Sequence, residues 1–266
     1  MPIHETVLII GATSGIGASL AHHIHGQNKT VIATGRRQDR LSSLASSHPG
    51  LQTACFDFSD ISTLPPNLSA LTEKFPAIDT VIINAGIQSF FKFTDAETPS
   101  PEDIAKEVTT NITAPMIACQ SLVPFFMKQE KPCSFIFIGG GLGYIPLPFF
   151  PVYCPTKAAL QSLAVSLRAQ LNGTNISVAV VNPPWVATDI DVKFKDGMIE
   201  MLGGPEKVPP QMPLEEFVEA AMKELDSLGE DGKPKRDVGV GAFPVKVVET
   251  WRKSFGPFLE QFHVDG

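Results

Sequence analysis

The sequence predicts a doubly wound α/β domain, a parallel sheet of seven strands covered by helices on both faces. Three observations carry that prediction. Short β-branched runs alternate with longer amphipathic runs from residue 6 to residue 241, the pattern of βαβ units. The first run ends in Gly11-Ala12-Thr13-Ser14-Gly15-Ile16-Gly17, with glycines clustered where a strand turns into a helix. No internal repeat or low-complexity linker divides the 266 residues, which fit one domain spanning 1–266.

Strands are expected at 6–10, 30–34, 52–55, 80–84, 134–138, 177–181 and 237–241. Their near-continuous apolar character is that of strands buried on both faces. Helices are expected at 15–25, 38–46, 102–128, 155–172 and 213–228. Pro155 and Pro213 each suit a first helical turn, where a missing N–H costs nothing. Between them, residues 190–213 mix polar and apolar types, with Gly203-Gly204-Pro205 and Pro209-Pro210 as breakers. That leaves space for one short helix and reads as a substrate-binding loop. The tail, 244–266, is a C-terminal extension with aromatic anchors at Trp251, Phe255, Phe258 and Phe262. It packs either on the domain or on another subunit.

Composition narrows the function. A net charge of -7 disfavours nucleic acid or an anionic membrane as partner, since either needs a basic face. No stretch reaches the ~18 apolar residues of a membrane span. The chain enters a strand by Thr6, leaving no room for a secretory signal. Cys55, Cys119, Cys133 and Cys154 form no CxxC pair; they read as buried free thiols of a cytoplasmic protein. His22 and His25 share a helix face, but no carboxylate or cysteine completes a ligand set, so no metal is expected.

The first strand–turn–helix reads as a dinucleotide site. Gly11, Gly15 and Gly17, with Thr13, Ser14 and Ile16 between them, let the backbone approach a diphosphate at a helix N-terminus. The spacing is GxxxGxG. The second strand ends at Gly35-Arg36-Arg37, where an acidic residue would select NAD. Two guanidiniums there favour the 2′-phosphate of NADP(H); the alternative is a pair of exposed arginines at a helix start. Asp57 stands where a carboxylate would meet the adenine amino group. Asn84-Ala85-Gly86 leaves the fourth strand with small residues beside the cofactor.

The chemical end is Tyr153, at a helix entrance, with Lys157 four residues on and therefore on the same face. A nearby ammonium favours phenolate over phenol and makes the tyrosine a usable general acid toward a carbonyl oxygen. Together, Gly11-x3-Gly15-x-Gly17, Asn84-Ala85-Gly86, Asn111, Tyr153-x3-Lys157 and Pro183-Pro184-x-Val186-x-Thr188 resemble the short-chain dehydrogenase/reductase family over roughly residues 5–245. The wording looks most like its DltE-like oxidoreductase branch. The resemblance implies a Rossmann-type fold, an NADP(H) cofactor, and homodimers or homotetramers through equivalent helices. It further implies that Lys157 holds the nicotinamide ribose, that Asn111 holds a water of the proton relay, and that Pro183, Val186 and Thr188 border the nicotinamide.

One residue departs from the family pattern. Gly140, inside Gly139-Gly140-Gly141, occupies the position of the family's catalytic serine. Losing one oxyanion donor costs about 10²–10³ in rate. Three explanations stay open: a water, a backbone N–H or a substrate hydroxyl replaces the serine; the room admits a bulky substrate; or redox turnover is lost. Phe90, Tyr144, Phe149 and Trp185, with Gly140 and Gly141, follow the fourth, fifth and sixth strands. They read as an apolar substrate pocket, with core packing the alternative for about half of such aromatics. The expected activity is NADPH-dependent reduction of an aromatic or polycyclic ketone to a secondary alcohol, or the reverse. The rivals are a redox-silent NADP(H) sensor and a cofactor-templated isomerase, dehydratase or cyclase.

Overall fold

The computed structural model describes residues 3–190, 192–229, 232, 234–262 and 264, with the backbone alone at Lys193 and Met201. Seven strands form one parallel sheet: β1 (Thr6–Ile10), β2 (Thr30–Gly35), β3 (Gln52–Cys55), β4 (Thr80–Ile83), β5 (Cys133–Ile138), β6 (Ile176–Asn182) and β7 (Asp237–Gly239). Their order is β3-β2-β1-β4-β5-β6-β7, so the winding reverses between β1 and β4. The helices are α1 (Gly15–Gly26), α2 (Gln38–Ser47), α3 (Leu64–Lys74), α4 (Pro101–Val108), α5 (Ala114–Phe126), α6 (Tyr153–Gln170), α7 (Lys195–Leu202), α8 (Leu214–Asp226) and α9 (Ala242–Gln261).

Side chains alternate across each strand and build two cores. Leu8 and Ile10 join Phe135 and Phe137 beneath α3, α5 and α6, through Leu68, Leu122 and Leu160. Val7 and Ile9 join Ile136 and Ile138 on the other face beneath α1, α2 and α8, through Leu20, Leu41 and Phe217. The doubly wound architecture and its seven strands are as the sequence predicts.

Four local differences have physical reasons. The helix expected over 102–128 is two helices joined by a π turn, Thr109–Thr113. Pro115, in the first turn of α5, has no N–H for the Asn111 carbonyl four residues back, so a regular helix cannot run through. Helix α3 was not expected, yet Pro65 and Pro66 lie in its first turn, where proline starts a helix instead of stopping one. The tail as far as Gln261 belongs to α9, a helix of 20 residues. It packs on the domain through Pro244 and Val248, while Phe255 and Phe258 stay exposed. Finally, Cys55 is exposed, against the expectation, whereas Cys119, Cys133 and Cys154 are buried. Among the described residues no helix is long and apolar enough to cross a membrane.

Candidate active site

The loops leaving β1, β2, β4, β5 and β6 meet at the carboxyl edge of the sheet. Gly11 has φ 91° and a side chain there would strike the Ala85 backbone nitrogen at 2.6 Å. A side chain at Gly17 would strike the Gly11 carbonyl oxygen, to which Asn84 Nδ2 donates at 2.7 Å. These glycines therefore let the β1 turn, α1 and the β4 loop touch through backbone. Ser14 N-caps α1 without a side-chain capping bond, and no acidic residue occupies the first turn. The leading N–H groups remain for an anion, a donor set that suits a dinucleotide diphosphate.

The two arginines play different parts. Arg37 donates to Thr13 Oγ1 at 3.0 and 2.7 Å and to Ser14 Oγ at 2.5 Å, stapling the α1 loop. Arg36 is 54% exposed, with Nη1 at 3.9 Å from Asp57 Oδ2. Burial pushes the Asp57 carboxyl up, but Ser59 and Arg36 outweigh it and hold the group below the usual carboxylate range. Ser59 gives its hydroxyl at 2.7 Å and its N–H at 2.9 Å.

Tyr153 is the first residue of α6. Lys157, one turn later, is buried, and its Nζ lies 5.4 Å from the Tyr153 ring centroid. That nitrogen donates to the Ile138 carbonyl at 2.8 Å, and burial brings it down to about 8. Asn111 closes the group: its Oδ1 accepts Ile87 N–H at 2.9 Å, and its Nδ2 donates to Ile87 O at 2.9 Å and Thr156 Oγ1 at 3.1 Å. The π turn thus ties the β4 loop to α6, and Pro115 leaves the Asn111 carbonyl without its ordinary helical donor. Gly86 lies against both, a side chain there meeting Asn111 Oδ1 at 3.4 Å and Lys157 Nζ at 3.8 Å.

The glycine run divides sharply. A side chain at Gly139 would strike Asn182 Oδ1 at 2.6 Å, at Gly141 the Phe243 ring at 2.8 Å, and at Gly143 the Lys157 backbone at 2.8 Å. At Gly140 the nearest atoms are Tyr153 Oη at 3.8 Å and Lys157 Cγ at 3.9 Å, which is ordinary contact. Its φ of 167° and ψ of 142° are extended backbone open to any residue. Gly140 therefore leaves room beside the Tyr153 hydroxyl that neither packing nor backbone requires. Its N–H donates to Asn182 Oδ1 at 3.0 Å, so this amide is already committed and does not stand in for the serine.

Phe90 packs on Phe149 at 5.3 Å and Phe150 at 5.6 Å and stacks on Phe194 at 5.7 Å. Phe149, Phe150 and Met198 are the buried centre of this cluster, which Trp185 and Tyr153 join. A side chain at Gly197 would meet the Phe90 ring at 2.8 Å, so α7 rests directly on Phe90. Bonds from Ala187 N to Met212 O at 3.0 Å and from Met212 N to Trp185 O at 2.8 Å tie the chain just before the 190–213 segment to its far end. A cavity of about 350 Å³ lies among Thr188, Asp189, Val192, Lys195 and Gln211. Val186 bridges to Met212, and Thr188 abuts Gly15; Pro183 follows β6 and Ile16 packs on the second core.

Two expected pocket residues need correction. Gly141 is buried beneath Phe243 of α9, and Tyr144 packs edge-on against Trp251 of α9 at 5.9 Å, outside the Phe90 cluster. Their place after the fifth strand suggested the pocket, but α9, which covers them, comes far later in the chain.

The family profile described as short chain dehydrogenase matches residues 5–198. The chain belongs to the short-chain dehydrogenase family. It is 33% identical to the uncharacterized oxidoreductase DltE of Bacillus subtilis, over 73% of this chain and 76% of that protein. It is 31% identical to serine 3-dehydrogenase of Agrobacterium fabrum, over 69% and 73%. The closed form of a serine dehydrogenase complexed with NADP+ superimposes with TM-score 0.74 at 26% identity, covering 88% of this chain and 94% of that one. A Streptomyces avermitilis short-chain dehydrogenase shares the fold, with TM-score 0.76, 19% identity and coverage of 98% and 96%. As a short-chain dehydrogenase the chain is an oxidoreductase of CH–OH and C=O groups.

Within this short-chain dehydrogenase, the structure brings Tyr153, Lys157, Asn111, Gly86 and Gly140 together. Sequence reasoning missed Asn182, Phe194, Met198 and Met212, which enter through contacts distant in the chain. Only Asn182 left a signal, its place directly before Pro183.

Proposed function

We propose that the protein is an NADPH-dependent reductase of hydrophobic aromatic or polycyclic ketones, running in either direction. The observation that carries this reading is the Tyr153–Lys157 pair beside the room at Gly140 and the Phe90 cluster. The 190–213 segment acts as the substrate-binding loop over that cluster. Gly11, Gly15, Gly17 and the α1 N-terminus would hold the diphosphate, Arg36 the 2′-phosphate, and Lys157 the nicotinamide ribose. The serine dehydrogenase that matches at 26% identity was solved with NADP+, which supports the choice of cofactor. When bound, the nicotinamide supplies the hydride. Tyr153 delivers the proton to the carbonyl oxygen, and the Lys157 ammonium stabilises the phenolate left behind. The Asn111 carbonyl suits a water that returns a proton toward Lys157. The phenylalanines exclude bulk water and strengthen these interactions.

A homodimer or homotetramer fits the exposed apolar residues of the α4–α5 arm, Val108, Met116 and Met127. A cytoplasmic setting fits four free cysteines, of which burial pushes Cys119 to about 12 and Cys133 to about 11.

The test is NADPH absorbance with acetophenone and 1-tetralone, with chromatography of the product. One alcohol formed per NADPH oxidised is the expected result. Product without loss of NADPH would favour an isomerase, dehydratase or cyclase. Tight NADPH binding with no product from any ketone would favour the redox-silent sensor, for which the absent donor at Gly140 is the supporting observation.

Cofactor choice has its own check. Arg36→Ala with Arg37→Ala is expected to weaken NADPH at least about tenfold more than NADH, the scale of one lost charge-assisted contact. Equal weakening would remove the preference for NADP(H). The pH profile reports on Lys157. Its folded value is lowered, to about 8, so the ammonium is present below that pH and lost above it. kcat/KM is therefore expected to fall as pH rises through about 8; a flat profile to pH 10 would show that its charge is not needed.

A further inference from the structure

A buried polar cluster lies where α6, β7 and α9 meet. At its centre Asp237 accepts Arg168 Nη1 at 3.0 Å and Nη2 at 2.9 Å, accepts Gln161 Nε2 at 2.7 Å, and pairs with Arg252 of α9. Three buried atoms have no hydrogen-bond partner: Tyr144 Oη, Gln161 Oε1 and Asn182 Nδ2. Gln161 binds Asp237, whose charge acts on Tyr144, and Tyr144 in turn meets the Asn182 side chain. The Tyr144 hydroxyl is raised by burial and by the Asp237 charge, feels Arg168 and Arg252, and leans on the Asn182 amide without closing a full hydrogen bond. It stays a neutral phenol, able to donate and accept. Orphaned polar atoms in a protein interior are costly. A donor, an acceptor and a hydroxyl left without partners near Asp237 offer the two to four partners that a buried water needs.

The cluster reaches the reaction site through one side chain. Asn182 turns Nδ2 toward Tyr144 and gives Oδ1 to the Gly140 N–H at 3.0 Å. The same oxygen leaves no room for a side chain at Gly139. Gly140 in turn faces Tyr153 Oη. Helix α9 holds the other end, with Trp251 on Tyr144 and Phe243 on Gly141.

We propose that Asn182 and Tyr144 are positioning residues: an ordered water shared with Gln161 orients the Asn182 amide, and Asn182 fixes Gly140 beside the Tyr153 hydroxyl. A substrate carbonyl entering the room at Gly140 then meets a wall set by α9. The kinetic consequence rests on the reductase reading above; the protection of the Gly140 amide does not.

The experiment uses the full chain with Asn182→Ala and Tyr144→Phe; the second keeps the ring on Trp251 and removes only the hydroxyl. Amide hydrogen exchange at Gly140 is expected to quicken about fivefold or more in both, the scale of one lost hydrogen bond. NADPH affinity should stay within about twofold of native, since neither side chain is among those proposed to hold the cofactor. With 1-tetralone, kcat should fall about fivefold or more while KM holds, whereas a merely structural role would lower the melting temperature alone. Gly140 exchange at the native rate in Tyr144→Phe overturns the proposal, and so does unchanged kcat in an active protein. A crystal structure without water density among the three atoms overturns the water. If the native chain reduces no ketone, faster exchange still supports the positioning, and the failure belongs to the reductase reading. Should Asn182→Ala not fold, Tyr144→Phe decides.

Discussion

Gly140→Ser is expected to raise kcat/KM by up to about 10²–10³, and Tyr153→Phe to lower it by about 10²–10⁴. The two changes act at neighbouring points, a β-carbon at 140 lying 3.8 Å from Tyr153 Oη. A β-carbon at 140 makes only ordinary contacts, the nearest at 3.8 Å to Tyr153 Oη, and the backbone there is extended. The serine therefore folds in without strain and places a hydroxyl beside the tyrosine, where a preorganised donor stabilises developing negative charge. Phenylalanine at 153 keeps the ring packed on Phe150, 6.2 Å away, and removes only the hydroxyl proposed as proton source. Steady-state kinetics with NADPH and 1-tetralone measure both. A gain from serine shows that the room at Gly140 is an unfilled donor site. A loss, with the fold intact, shows that the substrate itself occupies that room, which is the bulky-substrate explanation. Tyr153→Phe at native rate would remove the tyrosine from the chemistry altogether.

Arg168→Ala is expected to destabilise the fold by about 3–5 kcal/mol, because it leaves a buried carboxylate without its main partner. The Arg168 side chain is 3% exposed and that of Asp237 is fully buried. The bridge spans α6 and β7, and Arg168 also donates to the carbonyls of Val178 and Arg236. Replacing both partners by apolar residues should recover only part of the loss, since the buried carboxylate is removed but Arg252 and Gln161 lose their acceptor. The sign of the pH dependence follows from Asp237. Burial pushes its carboxyl up, but the Arg168 charge and hydrogen bonds, with Arg252 and Gln161, overcome that and hold it at about 2, below its ordinary 3.8. A depressed carboxylate contributes stability that is present above the unfolded value and lost as pH falls through the folded one. Stability against urea should therefore fall between pH 4 and pH 2 in the native chain, and Asp237→Asn should remove that part of the slope. Equal slopes in the two proteins would show that other carboxylates govern acid unfolding.

The strand and helix pattern was legible because it is local. Apolar alternation within a strand and the glycines at its end act over a few residues, and the sheet in hand has the seven strands they imply. The same holds for the Tyr153–Lys157 pair, set one helical turn apart. Expectation failed where a residue's meaning depended on its position within an element. Pro65 and Pro66 begin α3, while Pro115 breaks the regular helix at Asn111. Both are prolines in a first turn, and only the flanking packing separates a start from an interruption.

By itself, the sequence determined the doubly wound fold, the family, the dinucleotide turn and the tyrosine–lysine pair, because each is written in spacing along one or two adjacent elements. Tertiary structure alone decided which glycine of 139–143 has room for a side chain, and that Arg37 staples the α1 loop. It also decided that Tyr144 faces α9 and that Asn182 holds Gly140. These rest on contacts such as Gly140 to Asn182, 42 residues apart, and Arg168 to Asp237, 69 residues apart. No periodicity encodes such pairs, since they arise only when β5, β6 and β7 are laid side by side and the last helix closes over their ends.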